Sequence, residues 1–141
     1  MFNILLIEDN LIFRRSFKDF LTNRFPDVAI NETGDGAEAL KSVEAAPPDL
    51  IFMDINLPGT NGIALSRMIK KEHPRIPIII LTLYDLSEFQ DAIRQYGADY
   101  FITKSTMNGQ KIEDLVETIR SNKPDALHGP TIQHSTVNRV K

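Results

Sequence analysis

The sequence predicts an α/β domain built on a parallel sheet with helices on both faces. Five short apolar runs alternate with segments of helical spacing. Three of the runs, Ile4-Leu5-Leu6-Ile7, Leu50-Ile51-Phe52-Met53 and Ile78-Ile79-Ile80-Leu81, are continuously apolar. A strand covered by helices from both sides reads that way, whereas a half-exposed strand alternates. The runs also end in chemistry: Glu8 and Asp9 after the first, Asp54 after the third, Thr82 after the fourth and Lys104 after the fifth.

Taken in order, strands are expected over residues 2–7, 28–31, 50–54, 76–82 and 100–103. Pro77 opens its run, where a missing N–H costs least. The first helix presents Phe13, Phe17, Phe20 and Leu21 on one face. Asp35 is placed to cap a second helix over 37–45, which Pro47 and Pro48 close. Leu65, Met68 and Ile69 begin a third stripe, ended by Pro74. Phe89, Ala92, Ile93 and Tyr96 form a fourth, with Gly97 placed to terminate it. Ile112, Leu115, Val116 and Ile119 fall at i, i+3, i+4 and i+7, the clearest amphipathic stripe in the chain.

The compact arrangement of five such units is a flavodoxin-like, doubly wound five-stranded parallel sheet in the order 2-1-3-4-5. The first and third strands then lie side by side at the topological switch point, and Glu8, Asp9 and Asp54 meet there beside Thr82 and Lys104. This domain is expected to occupy residues 1–122. Residues 123–141 contain Pro124, Gly129 and Pro130 without usable periodicity, and read as a flexible tail or the start of an output linker.

Composition narrows the function classes. The 141 residues are 42% hydrophobic and 25% charged, ordinary for one globular domain. A net charge of −3 and a pI near 5.6 leave no footprint for direct nucleic-acid binding. No run approaches the ~20 apolar residues of a spanning helix. The apolar start is too short for a secretory signal and leads directly into acids, so no membrane association and a cytoplasmic location are expected. Absence of cysteine removes disulfides, thiol catalysis and Cys–zinc sites. His73, His128 and His134 show no metal-ligand spacing.

Three carboxylates in one crevice raise one another's pKa and call for a proton or a hard cation. Mg²⁺, with Mn²⁺ as a substitute, suits a few carboxylates plus water and phosphate oxygens. Asp9 and Asp54 would ligate directly, Glu8 through water, and the Asn56 backbone carbonyl would complete the set. Such a site can receive a phosphoryl group on Asp54, whose neighbours Lys104 and Thr82 would meet its equatorial oxygens. Taken singly, each residue has a structural explanation, since acids after strands cap helices and a threonine in a strand is commonplace. Their joint occurrence at four strand ends carries the functional reading.

These residues bring the chain to a family. Ile-Glu8-Asp9-Asn, Met53-Asp54-Ile-Asn-Leu-Pro58-Gly with Gly62 following, Leu81-Thr82 and Gly97-Ala98-Asp99-Tyr-Phe101-Ile-Thr-Lys104 resemble, in this order and spacing, the response-regulator receiver domain of two-component signalling. The resemblance implies phosphoryl transfer to Asp54 from a sensor histidine kinase or phosphotransfer protein. It also implies Mg²⁺ held by Glu8 and Asp9, and Lys104 paired with the phosphoryl group. Phe101 would rotate inward as Thr82 moves, altering a surface of helix 4, strand 5 and helix 5 that includes Phe89, Gln90 and Lys111 and can serve a homodimer. A residue other than proline after the lysine, here Ser105, is common among receivers attached to helix-turn-helix DNA-binding domains. The resemblance is therefore compatible with a truncated regulator as well as with a whole protein.

The chain departs from the family pattern at two positions. Ser105 stands where a cis proline usually follows the lysine, and a cis non-proline bond costs ~3–4 kcal/mol. Leu83 replaces a small residue, so Leu83, Tyr84 and Asn56 are expected to tune access to Asp54. A haloacid-dehalogenase-like phosphatase using Asp54 as nucleophile is the alternative. It needs an acid two residues on, where Asn56 stands. A flavin-binding module would need a phosphate-cradling loop where Asn10-Leu11-Ile12-Phe13 runs. A receiver that never binds phosphate would not be expected to carry all five rim residues.

Overall fold

The computed structural model describes residues 1–83, 88, 90–95, 97–121 and 137–139. The elements run β1 (Asn3–Ile7), α1 (Leu11–Arg24), β2 (Ala29–Thr33), α2 (Gly36–Ala45), β3 (Leu50–Asp54), β4 (Asn56–Leu57), β5 (Thr60–Asn61), α3 (Gly62–Glu72), β6 (Ile78–Thr82), α4 (Gln90–Gln95), β7 (Tyr100–Thr103), α5 (Gly109–Ser121) and β8 (Val137–Arg139). A 3₁₀ turn, Lys104–Thr106, separates β7 from α5. The main sheet has the order β2-β1-β3-β6-β7-β8. Its first five strands are parallel, as the sequence predicts.

Strand alternation divides the core into two layers. On one face Ile4, Leu6, Leu50, Phe52, Ile79, Leu81, Tyr100 and Ile102 pack against Phe17 and Leu21 of α1 and the full Ile112, Leu115, Val116, Ile119 stripe of α5. On the other, Leu5, Ile7, Ile51, Met53, Ile78, Ile80 and Phe101 meet Ala39 and Val43 of α2, Leu65 and Ile69 of α3 and Ile93 of α4. Every residue of β3 and β6 is buried, which is why those runs are apolar without alternation. Burial of each such side chain contributes about 1.5–3 kcal/mol.

Polar residues fix the helix starts. Asp35 Oδ1 accepts from the N–H groups of Ala37 (2.7 Å) and Glu38 (3.1 Å), so α2 begins one residue earlier than predicted. Asn61 caps α3 through the Ile63 N–H, and Asn108 Oδ1 accepts from Lys111 at the start of α5. At the amino-terminal rim of the sheet, Asp49 and Asp99 accept from the N–H groups of Asn3 and Ile78, each at 2.8 Å. Asp99 also meets Lys70 of α3 at 2.8 Å.

Several expectations need correction. Met68 is 52% exposed and Ala92 is exposed, so neither belongs to the core stripe assigned to it. The second strand starts and ends later than predicted because Glu32 and Thr33 continue an edge strand that is only half covered. An antiparallel hairpin, β4 with β5, follows Asp54 and turns at Pro58-Gly59, where Gly59 has a left-handed φ of 72°. Within residues 137–139, β8 pairs antiparallel with β7, Ile102 opposite Val137 and Tyr100 opposite Arg139. Among the described residues this adds one antiparallel strand along the β7 edge of the expected five-stranded parallel sheet. Tyr84, Phe89, Tyr96, His128 and His134, and the rest of the tail, lie outside the described residues.

Candidate functional site

Four strand ends build one site. Glu8 and Asp9 leave the sheet in the turn between β1 and α1, β3 ends on Asp54, β6 ends on Thr82, and Lys104 follows β7. Register sets Ile7 beside Met53, Asp54 beside Leu81 and Thr82 beside Thr103. All five predicted rim residues therefore stand on the carboxyl-terminal edge, around the β1/β3 switch point where α/β sheets bind ligands.

One carboxylate oxygen from each of Glu8, Asp9 and Asp54 lies within 4.8 Å of the other two. Glu8 is wholly buried, Asp54 is 5% exposed and Asp9 stands in solvent. The turn carrying Glu8 is pinned from both sides. Its N–H donates to the Thr33 carbonyl, and its carbonyl accepts from Arg14 Nη1, both at 2.9 Å. Arg14 Nε is held in turn by Glu32 at 3.0 Å. The Asn10 N–H donates to Glu8 Oε2 at 3.0 Å, while Asn10 Oδ1 caps α1 by accepting from the Phe13 N–H at 2.9 Å.

The Lys104 ammonium lies 2.6 Å from Glu8 Oε1 and 3.6 Å from Asp54 Oδ1. It also sits over the Phe13 ring, 4.4 Å from the centroid. Burial pushes the Asp54 carboxyl from 3.8 up to about 6, and the Glu8 charge adds to the rise. The Lys104 ammonium and the Asn56 backbone N–H oppose it, and a hydrogen bond with Glu8 raises it again. One ammonium among three carboxylates leaves a surplus of negative charge. Glu8 Oε1 is enclosed without a well-aligned N–H or O–H among the described residues. An oxygen-only donor set with this charge fits a hard divalent cation.

The remaining predicted residues divide. Thr82 is 2% exposed at the end of β6, and Phe101 is fully enclosed, facing the opposite side of the sheet from Tyr100. Leu83 is 62% exposed, so most of its side chain is in solvent. Asn56 sits in the hairpin with its backbone N–H on the Asp54 carboxylate, and its side chain is exposed. Gly62 approaches the Asp54 backbone so closely that a Cβ there would lie 2.1 Å from the Asp54 carbonyl oxygen.

Two residues at the site were not legible as site residues. Phe13 falls on the helical stripe shared with Phe17 and so reads as core, although its position four residues after Asp9 brings it back over the rim. Arg14 carried no signal, because its contacts with the Glu8 carbonyl and with Glu32 follow no helical or strand period.

Comparison with known proteins follows the same residues. Residues 4–125 match the response regulator receiver domain as a family. The glycerol metabolism activator of Pseudomonas putida is 30% identical over 123 residues, which are 86% of this chain and 56% of that protein. The chain likewise spans only 57% of the transcriptional regulatory protein DegU of Brevibacillus brevis, at 25% identity. By contrast, the polar-differentiation response regulator DivK of Brucella ovis is 30% identical over 126 residues, 88% of this chain and 98% of that one. Among solved structures, a LuxR-family two-component response regulator from Aurantimonas has a TM-score of 0.75 at 29% identity, covering 85% of each chain. The receiver domain of NtrX from Brucella abortus gives 0.75 at 25% identity, covering 85% of this chain and 99% of its own.

Proposed function

The chain belongs to the response regulator receiver family, and from that premise we propose that Asp54 is its phosphoacceptor, charged by the phosphohistidine of a sensor kinase or phosphotransfer protein. One observation carries the reading: the oxygens of Glu8, Asp9 and Asp54 converge within 4.8 Å while the Lys104 ammonium stands between Glu8 and Asp54.

With its carboxyl raised to about 6, Asp54 is still largely ionised at pH 7. A carboxylate oxygen attacks phosphorus in line, and the phosphorus–nitrogen bond breaks. The imidazole nitrogen keeps the electron pair and takes up a proton. Positioning and charge neutralisation do most of the work in such a transfer. Lys104 is placed to meet one phosphoryl oxygen and the Thr82 hydroxyl another. A Mg²⁺ ion held by Asp9, Asp54 and the Asn56 carbonyl, with Glu8 acting through water, would supply the remaining neutralisation. Asn56 offers no general acid or base two residues from Asp54, which favours a persistent acyl phosphate over turnover.

Output then passes through Thr82 and Phe101. A phosphoryl dianion draws the Thr82 hydroxyl inward, and the space behind it accepts the Phe101 ring, which is already enclosed here. The surface altered is that of α4, β7 and α5. A homodimer or a downstream domain would read it there, and β8 lies along its β7 edge.

Intact mass after incubation with acetyl phosphate or phosphoramidate tests the assignment. The expected result is a single phosphoryl adduct that depends on Mg²⁺ and is lost in Asp54→Asn. An equal adduct on Asp54→Asn would overturn it.

A further inference from the structure

We propose that Phe13 is a positioning residue for phosphoryl transfer, holding the Lys104 ammonium against the acid cluster through the face of its ring. The inference rests on the role given to Lys104 above. Lys104 meets Glu8 at 2.6 Å on one side and the Phe13 centroid at 4.4 Å on another. A lysine side chain is flexible and strongly hydrated, so a charge that must act at one spot needs to be confined.

The ion pair with Glu8 alone does not suffice. That contact holds the ammonium 3.6 Å from Asp54, and to meet a phosphoryl oxygen the ammonium must loosen from Glu8. A close ion pair weakens as its charges separate. Attraction to a ring face persists out to about 6 Å from the centroid, so from 4.4 Å the ammonium can shift by about an ångström and stay held. The ring thus keeps a hold on the ammonium over a displacement that weakens its close contact with Glu8.

Phe13 is itself fixed. Its N–H is bound by the Asn10 cap at 2.9 Å. Its ring stacks on Phe17 at 5.5 Å and 13°, and Phe17 meets Phe52 of β3 edge-on at 5.0 Å. Phe17 is buried in the core while Phe13 is half-buried beside the rim. Its neighbours Leu11 and Ile12 are 47% and 83% exposed.

Progressive fluorination of Phe13 tests this, because it drains charge from the ring face with little change in volume. The rate of adduct formation on Asp54 from acetyl phosphate should fall stepwise through the mono-, di- and trifluoro forms, to about fivefold below wild type. Thermal stability should hold steady across the series. In a Lys104→Ala background the series should be flat. A second readout needs no phosphodonor: the Lys104 Hε protons should resonate upfield under the ring current and move downfield in Phe13→Leu, with Phe13→Trp restoring the shift. Unchanged rates across the series, or Lys104 Hε shifts insensitive to Phe13→Leu, would overturn the role of Phe13 and leave the phosphoacceptor intact. Failure of the wild type to form an adduct lost in Asp54→Asn would overturn the assignment on which it rests.

Discussion

At the scale of single residues, Asp54 is held in a state that is costly in the absence of a ligand. Burial and the Glu8 charge raise its carboxyl to about 6 from 3.8. The folded state therefore binds a proton more tightly than the unfolded chain over that interval. Stability from this group falls as pH rises from about 4 to about 6 and is level above. Asp54→Asn removes the charge, so its stability relative to wild type should be near zero at pH 4 and grow to about 1 kcal/mol by pH 7.5. That figure is set below the full shift because solvent reaches the rim and Lys104 offsets part of the charge. Urea denaturation of both proteins at the two pH values measures it, and a gap that is larger at pH 4 contradicts the sign. The same residue shows what sequence could reveal. Asp54, Thr82 and Lys104 were legible because each breaks an apolar run at a strand end. Phe13 was not, because one helical period serves both the core and the rim.

At the scale of elements, legibility followed length and periodicity. The α5 stripe of Ile112, Leu115, Val116 and Ile119 is buried as predicted, because an amphipathic pattern sustained over two turns has one compact solution. In α3 and α4 the burial pattern is narrower, and Met68 and Ala92 are exposed. The β4–β5 hairpin was missed because two-residue strands carry no period; only Pro58-Gly59 marked it, as a turn. β8 was missed because three residues paired across a sheet edge leave no local trace. The junction of β1 and α1 ties local structure to the site: the Asn10 side chain caps α1 while its N–H holds Glu8. Asn10→Ala keeps the N–H and loses the cap, so it should cost about 1 kcal/mol in chemical denaturation. Adduct formation on Asp54 should persist, since the backbone contact to Glu8 is retained. A loss of several kcal/mol would show that the side chain does more than cap the helix.

At the scale of the whole molecule, the fold keeps stability and chemistry on different parts of the sheet. Two apolar layers run through its middle, Asp49 and Asp99 satisfy backbone donors at its amino-terminal rim, and the carboxylates collect at the other. A domain arranged this way carries electrostatic repulsion at one end that a cation would relieve, which couples metal binding to global stability. At 100 times its dissociation constant, Mg²⁺ should stabilise the folded state by about 2.7 kcal/mol, an increase in Tm of roughly 8 °C for a domain of this size. Asp9 isolates the effect. It is exposed and lies at the edge of the cluster, so Asp9→Asn should leave the metal-free Tm nearly unchanged and remove most of the Mg²⁺-induced rise. Calorimetry of both proteins with EDTA and with saturating Mg²⁺ separates the two quantities. A full Mg²⁺ response in Asp9→Asn would place the cation elsewhere, and a collapse of the metal-free Tm would make Asp9 a structural residue.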